Sequence, residues 1–203
     1  MTMKAATASF AVSCLASSGK GVKALQRETE LNRFLADVEK RALRIAEISI
    51  RDRDEALDLV QDAMIRLARS YADRPADEWT PLFYRILQNR IRDWQRRQSV
   101  RNRVMVWFGR SDEDNDYDPV AAAPDPAGRT PEQALETREA MATLEEALGE
   151  LPARQREAFM LRNFEGLDVA GTALAMGCGE GSVKTHYSRA VHKLREILGE
   201  HWQ

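Results

Sequence analysis

The sequence predicts an all-α protein made of two small helical domains joined by a flexible acidic linker, and three observations carry that expectation. Apolar residues recur at steps of three and four wherever the chain is not obviously a loop. Strand-like alternation is almost absent. Residues 109 to 131 break the helical pattern with Asp112, Glu113, Asp114, Asp116 and Asp118, followed by the run "DPVAAAPDPAG", a composition that favours a solvated connector. The expected organisation is a disordered tail over 1–24, a first domain over 25–108, the linker over 109–131 and a second domain over 132–203.

A chain of 203 residues with 43% hydrophobic side chains can bury a core in each of two such units. Its formal net charge of -2 hides a strong segregation: Arg85, Arg90, Arg92, Arg96, Arg97, Arg101, Arg103 and Arg110 crowd one stretch against a single Asp93, and the acidic cluster follows at once. A local basic face of this kind can hold phosphates while the whole chain stays near neutral. Cys14 and Cys178 are far apart and lack CxxC spacing, so neither a disulfide framework nor a zinc site is expected, and a reducing cytoplasm fits. The opening "MTMKAATASFAVSCLASSGKG" weakly imitates a signal peptide, but Ser and Thr break its apolar run, and it reads as a tail. No stretch approaches the ~20 apolar residues of a membrane span, so no membrane insertion is expected.

In "DEALDLVQDAMIRLARSY", Leu57, Val60, Met64, Leu67 and Tyr71 form one apolar stripe, beside which Asp54, Asp58, Gln61 and Asp62 form a polar one with Ile65 exposed among them. "YADRPADEW" reads as a loop around Pro75. Thr80 and Pro81 then suggest an N-cap with proline at the first helical position. In the helix that follows, Phe83, Ile86, Leu87, Ile91 and Trp94 would face a core, with Arg85, Asn89, Arg92 and Arg96 opposite. The second domain opens with "TPEQ", where Thr130 and Gln133 have capping-box spacing. Leu144, Leu148 and Leu151 point inward, Pro152 starts a helix containing Phe159 and Leu161, and Gly166 ends it.

The stretch "GCGEGSVKTHYSRAVHKLR", 177 to 195, poses a choice between a phosphate cradle and a turn that aims a helix. A Walker loop needs Gly-Lys-Ser/Thr in succession, yet Val183 precedes Lys184, and the segment feeding the glycines is helical rather than a strand. A dinucleotide fingerprint fails for the same lack of a strand. A helix-turn-helix needs a small residue where its helices touch, a turn glycine four residues on and an apolar residue six after that; Ala173, Gly177 and Val183 supply all three. Cys178 and Tyr187 read as further apolar anchors. Ser182, Lys184, Thr185, His186, Ser188 and Arg189 would then face outward, suited to phosphates and base edges in a major groove.

With these residues in place, the chain resembles an extracytoplasmic-function sigma factor of bacterial RNA polymerase, in the sigma-70 superfamily. "LGELPARQREAFMLRNFEGLDVAGTALAMGCGEGSVKTHYSRAVHKLREIL" resembles region 4 of that family, and "DEALDLVQDAMIRLA" with "WTPLFYRILQNRIRDWQRR" resembles region 2. The resemblance implies a factor with no active site of its own that lends promoter specificity to core RNA polymerase. Asp58, Gln61, Asp62 and Ile65 would contact a basic coiled coil of the polymerase. Asn89, Arg92, Arg96 and Arg97 would read the melted minus-ten strand, with Trp79 and Tyr84 as candidates for stacking on bases, though each is as well placed to be core. Ser182, Lys184, Thr185, His186, Ser188 and Arg189 would read the minus-thirty-five duplex. Promoter DNA and core polymerase are the implied partners, with an anti-sigma factor as a further candidate; no cofactor or metal is expected. Where the family usually has arginine this chain has His186, and Gly171 and Gly179 replace a carboxylate and a capping residue. Region 4 alone is equally similar to the output domain of LuxR-type regulators, and it is region 2 that favours a sigma factor. A helical adaptor and a metal-dependent enzyme using Asp112 to Asp118 are more remote readings.

Overall fold

The computed structural model describes the backbone over residues 20–107 and 131–199, and side chains over 25–101 and 139–199. Among the described residues there are seven helices and no strand: α1 (Lys20–Ile50), α2 (Arg53–Tyr71), α3 (Ala76–Trp107), α4 (Pro131–Glu150), α5 (Ala153–Asn163), α6 (Val169–Met176) and α7 (Glu180–Leu198). α1 begins inside the stretch expected to be tail. Thr130 and the acidic cluster lie outside the described residues, while α4 does start at Pro131.

Helices α1 to α3 form the first unit. Val38, Ala42 and Ile45 of α1 meet Ala56, Val60, Ala63 and Leu67 of α2 and Phe83, Leu87 and Ile91 of α3, all buried. Asp52 caps α2, its carboxylate accepting from the Glu55 N–H at 3.0 Å, so one of the orphan donors of the first turn is satisfied. Two details differ from the sequence reading. The buried stripe of α2 is Ala56, Leu59, Val60, Ala63 and Leu67, one residue round from the expected one, and Leu57 is exposed. The third helix starts at Ala76, so Pro81 sits inside it and Thr80 is not its cap. The reason is Trp79, which lies 2% exposed against Phe34, with ring centroids 5.8 Å apart, and donates its indole N–H to the Tyr71 carbonyl at 3.2 Å. That anchor fixes the chain two residues before the proline. Ile86 and Trp94 are only half-buried.

Helices α4 to α7 form the second unit around Leu148, Leu151, Leu161, Met176, Val183 and Leu194. Phe159 of α5 stacks on Tyr187 of α7 with planes 16° apart. The two units pack on each other: α6 lies along α3, and α4 touches α1.

Candidate nucleic-acid interface

Local chemistry aims the last two helices. The Asp168 carboxylate accepts from the Gly171 N–H at 2.6 Å and starts α6. Gly177 ends α6 at φ +65, where the Gly177 N–H reaches the Leu174 carbonyl and the Cys178 N–H the Ala173 carbonyl, a Schellman closure that requires a left-handed residue. Gly179 has φ -74 and caps α7 without a side chain. Ala173 and Val183 are buried where the helices meet, as the spacing required, and Cys178 is half-buried.

α7 therefore turns Ser182, Lys184, Thr185, Ser188 and Arg189 to solvent, with His186 half-buried at the edge of the row. Thr185 donates its hydroxyl to the Gly181 carbonyl at 2.9 Å and keeps acceptor capacity outward. Tyr187, held by Phe159 and with the Arg162 guanidinium 5.8 Å from its ring centre, locks the rotation of α7. The row is polar and basic, with no carboxylate in it.

On α3, Arg85, Asn89, Arg96 and Arg97 are exposed, and Arg92 is half-buried, donating to the Asn89 side-chain oxygen at 2.7 Å and to the Gln88 carbonyl at 3.1 Å. A groove of about 300 Å³ between α2 and α3 is lined by Arg66, Tyr71, Leu82, Arg85, Ile86, Asn89, Arg90 and Asp93. Trp79 and Tyr84 are not part of this face. Both are buried, Trp79 in the aromatic cluster with Phe34 and Tyr84 edge-on to Phe83, so neither offers a ring to a base in this arrangement. The sequence reading missed Arg66, while Tyr71 lies in the stretch 70 to 80 that the resemblance assigns to the minus-ten strand. The apolar stripe of α2 also includes Tyr71, and an arginine at the far end of α2 carries no sequence signal that it reaches α3.

On α2, Asp58, Gln61, Asp62 and Ile65 are exposed together, and Ile65 is 48% exposed. Leu57 joins them as a second surface apolar residue. Asp62 lies 3.8 Å from Arg90, an exposed pair that leaves the acidic character of the face largely intact. No group of three or more metal-ligating side chains occurs among the described residues, and no described helix is long and apolar enough to cross a membrane.

A basic helix held by a helix-turn-helix, joined to a second helical unit with an arginine-lined groove, gives the two-domain helical architecture two faces of the charge that nucleic acid requires. Comparison with known proteins gives its family. Sigma-70 region 2 matches residues 31–101, and Sigma-70, region 4 matches residues 141–194. The ECF RNA polymerase sigma factor EcfG of Rhodopseudomonas palustris is 31% identical over 147 residues, covering 71% of this chain and 72% of that protein. SigE of Mycolicibacterium smegmatis, also an ECF RNA polymerase sigma factor, is 31% identical over 173 residues, covering 85% of this chain; the chain spans 62% of that relative's length. Among solved structures, the sigma factor RpoE of Bartonella quintana, in complex with the anti-sigma factor NepR, matches with a TM-score of 0.59 and 26% identity over 83% of this chain and 96% of that one. The chain belongs to the ECF sigma factors of the sigma-70 family.

Proposed function

We propose that this chain binds core RNA polymerase and directs it to specific promoters from the cytoplasm. The observation that carries this reading is that the two sigma-70 regions fall in order on two separate helical units, each presenting an exposed face of the charge its task needs. The acidic face of Asp58, Gln61, Asp62 and Ile65 docks on a basic surface of the polymerase. Lys184 and Arg189 neutralise phosphates flanking the major groove at the minus-thirty-five element, while Ser182, Thr185, His186 and Ser188 meet base edges and backbone.

Asn89, Arg92, Arg96 and Arg97 hold the opened minus-ten strand. Arg66 and Tyr71, facing Arg85 across the groove, add a cation and an aromatic ring where one unpaired base would enter, a stacking contact worth about 1–3 kcal/mol. The chain carries out no bond-making step of its own in this role. An anti-sigma factor is a fitting regulator, since a structurally similar sigma factor is held by one. Reconstitution with core polymerase tests the reading: transcripts should start at defined promoters only when the chain is added. Unchanged, promiscuous starts would overturn it. A LuxR-type regulator would instead bind a palindromic duplex without polymerase, and the region 2 match counts against it.

A further inference from the structure

The Asn89 side chain is exposed on the wall of the groove between α2 and α3, yet one of its two polar ends is already in use. Arg92, three residues on, donates from Nη2 to Asn89 Oδ1 at 2.7 Å and from Nε to the Gln88 carbonyl at 3.1 Å. A guanidinium carries five N–H donors and no acceptor, so only the oxygen of the amide can face it. The Asn89 NH2 group is the end left for the groove.

That matters for what the groove can tell apart. A primary amide with no such partner can offer either a donor or an acceptor by turning about its last bond, and so adapts to any base edge. Held by Arg92, it offers a donor only. Asp93 lies one turn from Asn89 and is the one carboxylate among the described residues lining the groove, whose other polar residues are Arg66, Tyr71, Arg85 and Arg90. The wall then presents an amide donor and a carboxylate acceptor in a fixed order. A base edge that sets its acceptor and donor in the matching order is favoured, and one with the order reversed meets donor with donor.

Arg92 itself is half-buried and lies outside the groove, and both of these guanidinium bonds return to its own helix. We propose that Arg92 is a positioning residue for base selection: by holding Asn89 Oδ1 it keeps the Asn89 amide donor-outward, and so makes the groove discriminate between bases. Arg92 takes part in strand reading through Asn89, not by a phosphate contact of its own. That the groove receives an unpaired base rests on the function proposed above; the hold on Asn89 does not.

The test uses the full chain and single strands built from deoxyadenosine, deoxycytidine or deoxythymidine alone, so that the same base enters the groove in every register. Asn89→Ala supplies the background from stacking. Beyond that background the wild type should show an added spread in Kd among the three strands of about fivefold, the size of one hydrogen bond made or missed. Arg92→Met should lose most of that added spread, and in an Asn89→Ala chain it should change the ranking no further, because the two side chains act as one unit. The salt slope of strand binding should stay as in the wild type, whereas loss of a direct phosphate contact would reduce it by about 0.7. Arg92→Ala repeats the test should Arg92→Met fail to fold. A wild type with no more spread than Asn89→Ala, or an Arg92→Met chain that weakens on all three strands alike with a reduced slope, overturns the proposal. If the wild type directs promoter-specific initiation with core polymerase while Arg92→Met keeps the full spread, the hold on Asn89 falls and the sigma-factor reading stands. If the spread behaves as expected but the wild type directs no initiation, the hold stands and the sigma-factor reading falls.

Discussion

Gly177 and Gly179 sit two residues apart and respond oppositely to a side chain. Both have open space where a Cβ would go, so the backbone decides. Gly177 holds φ +65, and Gly177→Ala should cost about 1 kcal/mol through left-handed strain. Gly179 holds φ -74 at the N-cap of α7 with no side-chain bond to the first turn, and Gly179→Ser should gain about 0.5 kcal/mol or less. Thermal melts of the full chain should therefore rank Gly179→Ser at or above wild type and Gly177→Ala below it. Glu157 adds a pH dependence. Burial raises its carboxyl above the ordinary 4.5, against the pull of Arg154, which donates to it at 2.9 Å, and of Arg92. A raised carboxyl pKa means the folded chain holds the proton longer than the unfolded one, so this residue's contribution to stability falls as pH rises from about 4.5 through the raised value. Urea melts across that window should show a shallower decline in Glu157→Gln than in wild type.

At the scale of the helix, α7 makes a claim about salt. If Lys184 and Arg189 each neutralise a phosphate, their joint replacement by Ala should weaken duplex binding and reduce the salt slope by up to about 2, since each contact contributes about 0.9. An unchanged slope would remove α7 from the role of reading helix. This helix was legible from sequence because Ala173, Gly177 and Val183 are set by backbone geometry, which spacing encodes directly. α2 was less legible. Its inward side uses Ala56 and Ala63, and small residues mark a face where helices approach closely, whereas a reading weighted toward bulk prefers Leu57. α3 shows a third case: the Trp79 indole bond to the Tyr71 carbonyl lies eight residues back across a turn, so the true helix start depends on a tertiary contact that local cap chemistry at Thr80 and Pro81 could not reveal. The same limit hid Tyr84, whose burial is set partly by Glu165 from the other unit.

For the whole molecule, the arrangement of faces separates three activities that one helix or one residue could not. Asp58, Gln61, Asp62 and Ile65 are exposed together on α2, a helix that carries neither of the ion pairs between the two units, Arg41–Glu165 and Arg44–Glu145. Asp58→Arg with Asp62→Arg should leave the fold intact, as both carboxylates are exposed and surface charge changes usually move stability by under about 0.5 kcal/mol. The Asp62–Arg90 pair it removes is exposed and 3.8 Å long, so little is lost there. The new positive charges should repel a basic polymerase surface. This variant is expected to keep its helical circular dichroism and its duplex binding through α7, and to lose co-purification with core polymerase and promoter-directed initiation. If the folded Asp58→Arg, Asp62→Arg chain still bound polymerase as the wild type does, the acidic face of α2 would not be the docking surface, and the polymerase contact would have to lie on another part of the molecule.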